Sequence, residues 1–158
     1  MAHSRLSSTE RVKARKLVMY ELRMLRYAGK MYLDKSRPRD SACLGSALLD
    51  SALLHARSLH EFLTAKPCRD GIVARDFLGP ESDWKPQGFN FVKDCIVKIN
   101  IFRCHISKSR LTVPYTWKDR LPKIVTDIEA AMRAFINALP GDEQGRWQVS
   151  TARRANPT

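Results

Sequence analysis

Residues 91–110 read FVKDCIVKINIFRCHISKSR, and this stretch decides the fold class. Its apolar side chains Val92, Cys95, Ile96, Ile99, Phe102 and Ile106 recur at steps of three and four, which makes one buried stripe on an α-helix. His105 falls off that stripe by about 100° or more at 3.6 residues per turn. Lys98 lies about two turns earlier, so the two side chains share a helical face. A histidine and an ammonium group on one exposed face are the constellation that points to chemistry.

Helical spacing extends to both sides. Ser7 and Glu10 form an S-x-x-E capping box, which starts a helix near Ser8. Val18, Leu22, Leu25 and Tyr32, joined by Leu17, Met24, Ala28 and Met31, carry its apolar face to about Leu33. Gly29 interrupts it at about 1 kcal/mol against alanine, unless a neighbour needs the room. Arg11, Lys13, Arg15, Lys16, Arg23 and Arg26 dress the other side, a solvated face that also suits RNA or a membrane surface. Pro38 breaks the pattern, and Asp40 or Ser41 is placed to cap a second helix over residues 42–65. Leu44, Leu48, Ala52, Leu59, Phe62 and Leu63 lie along one side of it. Leu49, Leu53 and Ala56 widen the apolar arc, as expected of a helix touched by several neighbours.

Residues 66–88 carry Pro67, Gly71, Gly79, Pro80, Pro86 and Gly88 and read as a long ordered connection. Ile72, Val73, Phe77, Leu78 and Trp84 are its apolar anchors. His55, Arg57 and Asp76 are read as structural polar groups. A histidine on an apolar helix ordinarily hydrogen-bonds within the core, and Asp76 is placed to reach His55 or Arg57. After residue 110 the chain is irregular to Trp117. Thr116 or Asp119 then caps a last helix, with Pro122 in its first turn and a stop at Pro140-Gly141. The spacing thus predicts an all-α antiparallel four-helix bundle over residues 1–141, with the long loop between helices two and three. Residues 142–158 read as a polar, frayed tail with Trp147 as its one anchor.

Twenty-eight Lys and Arg face 16 Asp and Glu, a net charge of +12 and a pI near 10.0, which favours an anionic partner, RNA first. The charge is uneven: residues 1–39 carry +8, residues 40–85 carry −2 and residues 86–158 carry +6. The four cysteines form no CxxC pair, no apolar segment follows Met1, and no window is long enough to span a bilayer. The expectation is a reduced, cytoplasmic protein. There is no Gly-rich phosphate loop, no HExxH, no GxSxG and no zinc spacing. Cys104 and His105 are adjacent and diverge by about 100° on a helix, so neither a metal nor another cofactor is expected.

Leu53-Leu54-His55-Ala56-Arg57 with Phe62-Leu63, Ala74-Arg75-Asp76-Phe77, Trp84, Ile99-Asn100, His105 and Arg110 resemble a group of small bacterial helical proteins. The helix arrangement resembles the HEPN superfamily of four-helix domains. Ribonucleolytic members carry an Arg, four to six intervening residues and a His on one late helix, and cleave RNA without metal as dimers. That resemblance implies a homodimer with catalytic candidates His105, Lys98 and Asn100. Here Asn100 and Lys98 stand where the motif has Arg, and a lysine offers phosphate a point charge without the planar fork. On this reading His105 is the acid or base for a ribose hydroxyl, and Lys98 offsets phosphoryl charge. Arg103, Lys108, Arg110, Lys118 and Arg120 would hold the nucleic-acid backbone. The alternative is a dimeric, non-catalytic module that binds nucleic acid or a partner protein with a degenerate HEPN site.

Overall fold

A computed structural model describes residues 6–34, 42–66, 71–79, 82–100 and 116–147. Among these residues the chain is all-helical: α1 (Ser8–Leu33), α2 (Ala42–Thr64), α3 (Arg75–Leu78), α4 (Asn90–Ile99), α5 (Leu121–Ala138) and α6 (Gly141–Trp147). No helix among the described residues is long and apolar enough to cross a membrane.

The Ser7 hydroxyl accepts from the Glu10 N–H and the Glu10 carboxylate accepts from the Ser7 N–H at 2.8 Å, so the capping box starts α1 as the sequence predicts. The Ser7 hydroxyl also donates to that carboxylate at 2.7 Å, and this bond, followed by the one from the Ser7 N–H, holds the Glu10 carboxyl below its ordinary pKa. Val18, Leu22, Leu25 and Ala28 are buried, whereas Leu17 is 52% exposed and is not part of the core. A β-carbon on Gly29 would meet Val125 Cγ2 at 3.3 Å, so the missing side chain lets α1 approach α5.

Helix α2 packs against α1, α4 and α5. Its wide apolar arc follows from that position: Leu49, Ala52, Leu53, Ala56, Leu59, Phe62 and Leu63 are all buried. Leu44, expected on the same side, is 50% exposed. On α4 the stripe Val92, Cys95, Ile96 and Ile99 is buried as the spacing requires. Asn100 continues the helical backbone, and residues 101–110, the rest of the stretch that set the fold class, lie outside the described residues.

Two further sequence expectations need correction. Thr116 and Asp119 do not cap α5. Arg120 occupies the cap position without a side-chain capping bond, and the Arg120 and Leu121 N–H groups both turn back onto the Trp117 carbonyl at 3.1 and 2.9 Å. Pro122 does sit in the first turn. The second correction concerns the tail, whose first residues are neither frayed nor peripheral. Leu139 is extended before Pro140. The Pro140 carbonyl then accepts from the Glu143 and Gln144 N–H groups and opens α6. Gln144 Nε2 donates to the Asn137 and Leu139 carbonyls at 3.2 and 2.8 Å, covering acceptors that the end of α5 leaves without partners.

That helix delivers Trp147 into the core at 1% exposure. Its ring meets Phe77 at 4.9 Å and Phe135 at 5.0 Å, both edge-on, and Phe62 at 6.2 Å. Glu143, also buried, receives Arg15 at 3.4 Å, Arg146 at 3.5 Å and Arg11 at 3.9 Å. Arg11 donates to the Phe77 carbonyl at 3.1 Å as well. Two of the six basic residues assigned to the open face of α1 therefore tie α1 to α6 and to the connection before α4. The connection is anchored by the buried residues Val73, Ala74, Phe77 and Leu78, and the Ala74 N–H donates to the Phe62 carbonyl at 2.8 Å.

Candidate nucleic-acid interface

Of the catalytic candidates, Lys98 is exposed on the last turn of α4 and Asn100 is half-buried just beyond it. Asn100 Oδ1 is buried with no hydrogen-bond partner among the described residues. His105, Arg103, Lys108 and Arg110 lie outside the described residues, so the shared face of Lys98 and His105 stays an expectation. Lys118 and Arg120 are exposed in the turn before α5.

The three structural polar candidates have the following partners. His55, 9% exposed, donates from Nδ1 to Glu21 Oε2 at 2.7 Å, a bond that ties α2 to α1. Arg57 pairs with Glu61 one turn on at 3.0 Å. Asp76 accepts from the Val73 N–H at 2.8 Å and so steadies the start of α3. His55 is accordingly a core histidine, as its apolar surroundings suggested.

A different set of residues forms the most coherent cationic surface. Lys16, Tyr20, Arg23, Tyr27 and Lys30 follow one another on α1 at steps of four and three. At about 100° per residue they fall within a sector of about 80°, and at about 1.5 Å rise they span about 21 Å. Tyr20 and Tyr27 are 43% and 57% exposed, high values for large aromatic side chains. With Met19, Arg26, Arg146 and Trp147 these five residues line a groove of about 680 Å³.

The groove has internal order. Tyr20 sets its ring edge-on to His55 at 5.9 Å, and the Arg23 guanidinium lies 5.8 Å from the Tyr20 ring centroid. Thus the partly buried Glu21–His55 bond beside it braces the aromatic. Arg26 is committed to Glu129, and Arg146 to Glu143. Lys16, Arg23 and Lys30 make no ion pair with any described residue, which leaves three cations for an external anion.

The sequence contained this stripe. Lys16, Arg23 and Lys30 recur every seven residues, and Tyr20 and Tyr27 share that period with an offset of four. Reading the basic residues of α1 as one undivided face hid the alternation. The distinction between Arg11 and Arg15, which are consumed, and Lys16 and Arg23, which are not, depends on the fold of residues 141–147.

Among the described residues no three His, Cys, Asp or Glu side chains gather as a metal-binding group. Cys95 is buried and Cys43 is exposed. No protein-family model matches the chain, and neither the curated proteins nor the solved structures provide a match.

Proposed function

We propose that this protein is a nucleic-acid-binding helical module that holds single-stranded RNA across the exposed face of α1. The observation that carries this reading is the alternation of cations and exposed tyrosines, Lys16-Tyr20-Arg23-Tyr27-Lys30, on that one face. Cations track a phosphate backbone without reading sequence, and exposed aromatic rings stack with any base. Together they give salt-sensitive binding with little sequence preference. The net charge of +12 supports the same partner class.

The finer architecture belongs to this proposal. α1, α2, α4 and α5 would form an antiparallel four-helix bundle of the HEPN-like kind, working as a homodimer. One core containing residues from all four helices supports the bundle reading.

A second reading adds metal-independent RNA cleavage by Lys98 and His105. It is favoured by the exposure of Lys98 at the end of α4, where the helical backbone continues through Asn100. A mobility-shift titration of a labelled single-stranded RNA tests both readings, with the RNA recovered afterwards on a denaturing gel. Retarded, intact RNA whose retardation is lost in Tyr27→Ala and in Lys16→Gln/Arg23→Gln/Lys30→Gln is the expected result. Fragments formed in the presence of a chelator, and absent with His105→Ala, would establish the nuclease. Wild-type-like binding by both α1 variants would overturn the placement on α1.

A further inference from the structure

A second concavity shares no lining residue with the α1 groove. It opens where the C-terminal end of α2, the connection after α3 and the start of α4 come together, and it encloses about 650 Å³, within the range of small-molecule sites. Its walls have two kinds of chemistry. One is aromatic: His60 lies flat against Phe89, ring centroids 5.4 Å apart and planes within 8°, with Trp84 nearby in the wall. The other is cationic: Lys66, Arg75, Lys85 and Lys93 all line the space, and no described lining residue is acidic.

Three further observations fit an anionic, ring-bearing occupant. Phe89 holds the N-cap position of α4 without a side-chain cap, so the positive end of that helix has no internal acceptor from its cap residue. Glu61, the acid beside His60 in sequence, is drawn to Arg57 at 3.0 Å. Burial, reinforced by the Lys93 charge and opposed by Glu61, holds His60 below its ordinary pKa, so near neutrality its ring remains an uncharged flat surface.

We propose that this cavity binds a nucleoside phosphate, with the base against the His60, Phe89 and Trp84 rings and the phosphate among Arg75, Lys85 and Lys93. The same chemistry has two sources, a free nucleotide or the 5′-phosphorylated end of a strand. The four cations in one concave site distinguish it from the surface stripe, where the cations lie in a row. The inference does not depend on strand binding by α1.

Isothermal titration with AMP, and competition between 5′-phosphorylated and 5′-hydroxyl versions of one short oligonucleotide, decide the matter. Arg75→Ala and Lys93→Ala remove exposed side chains and leave the helical core untouched, and circular dichroism verifies that each variant is folded. Each should weaken AMP binding about tenfold or more, as expected for loss of a charge-assisted hydrogen bond. The Lys16→Gln/Arg23→Gln/Lys30→Gln variant should bind AMP as wild type does, which keeps a failure of this site distinct from a failure of the α1 interface. Saturable AMP binding with no preference between the two oligonucleotides assigns the site to free nucleotide. A preference for the 5′-phosphorylated strand that Lys93→Ala abolishes assigns it to strand ends. Absence of saturable AMP binding by wild type, or equal AMP affinity in wild type and both pocket variants, would overturn the proposal.

Discussion

Replacing Trp147 by alanine should cost this protein about 4 kcal/mol of stability. The indole is 1% exposed and sits among Phe62, Phe77 and Phe135, with ring centroids between 4.9 and 6.2 Å. Burying about 200–250 Å² of aromatic surface at about 25 cal/mol per Å² gives about 5–6 kcal/mol as an upper limit. An opposing effect comes from the indole N–H, which is buried without a partner among the described residues and costs about 1–3 kcal/mol. The difference, about 2–5 kcal/mol, overlaps the ~3–5 kcal/mol seen for removal of large aromatic side chains from cores. Trp147→Phe keeps a ring against Phe77 and Phe135 and removes the unpaired donor, so its loss should stay under about 2 kcal/mol. Urea unfolding followed by circular dichroism measures both values. The midpoint on heating should fall by about 8–16 °C for Trp147→Ala, at about 2–4 °C per kcal/mol for a chain of this size. If Trp147→Ala lost less than about 1 kcal/mol, α6 would not belong to the cooperative unit and the reasoning would fail.

Further outcomes follow from single contacts. Glu143→Ala leaves Arg11 and Arg15 without their shared carboxylate and should cost about 1–3 kcal/mol, with the loss largely absent when Arg11 and Arg15 are also replaced. A double-mutant cycle in urea reads that coupling. Gly29→Leu should cost about 1–3 kcal/mol by forcing α1 away from α5, whereas Gly29→Ala should change stability by less than about 1 kcal/mol. In that variant the gain in helix propensity opposes the 3.3 Å approach to Val125. His60 has a folded-state pKa below its unfolded value, so the folded protein resists a proton that the unfolded chain accepts. Its contribution is fully present above the unfolded value of about 6.5 and is lost as pH falls through that value toward the folded one. The stability difference between wild type and His60→Gln should therefore move against wild type from pH 7.5 to about 5.5; a difference that stays constant over that range would contradict it.

The helices were legible wherever one face is buried. Val92, Cys95, Ile96 and Ile99 declared α4, the Ser7–Glu10 box declared the start of α1, and the wide apolar arc of α2 announced its several neighbours. Leu17 and Leu44 were misplaced because periodicity gives a face and not the edge at which its neighbours end. Helix α6 was missed since its apolar content is a single Trp. Its signals were the acidic Asp142 and Glu143 in the first turn and Arg146 in the last, a charge pattern that suits the helix dipole. That omission also concealed the candidate interface: without Glu143 in place, nothing separates the arginines that hold the fold from the cations that face outward. The pairing of Lys98 with His105 rests on helical spacing alone, since His105 lies outside the described residues, and a spacing does not supply the arginine of the motif that it resembles.

The central claim is that Lys16, Arg23 and Lys30 meet nucleic-acid phosphates, and its most direct test is the salt dependence of binding. Fluorescence anisotropy with a labelled single-stranded RNA, repeated over a series of KCl concentrations, gives the slope of log affinity against log salt. Each phosphate contact on a single strand contributes a slope of about −0.7, so Lys16→Gln/Arg23→Gln/Lys30→Gln should flatten the wild-type slope by about 2. An unchanged slope in that folded variant would contradict the account.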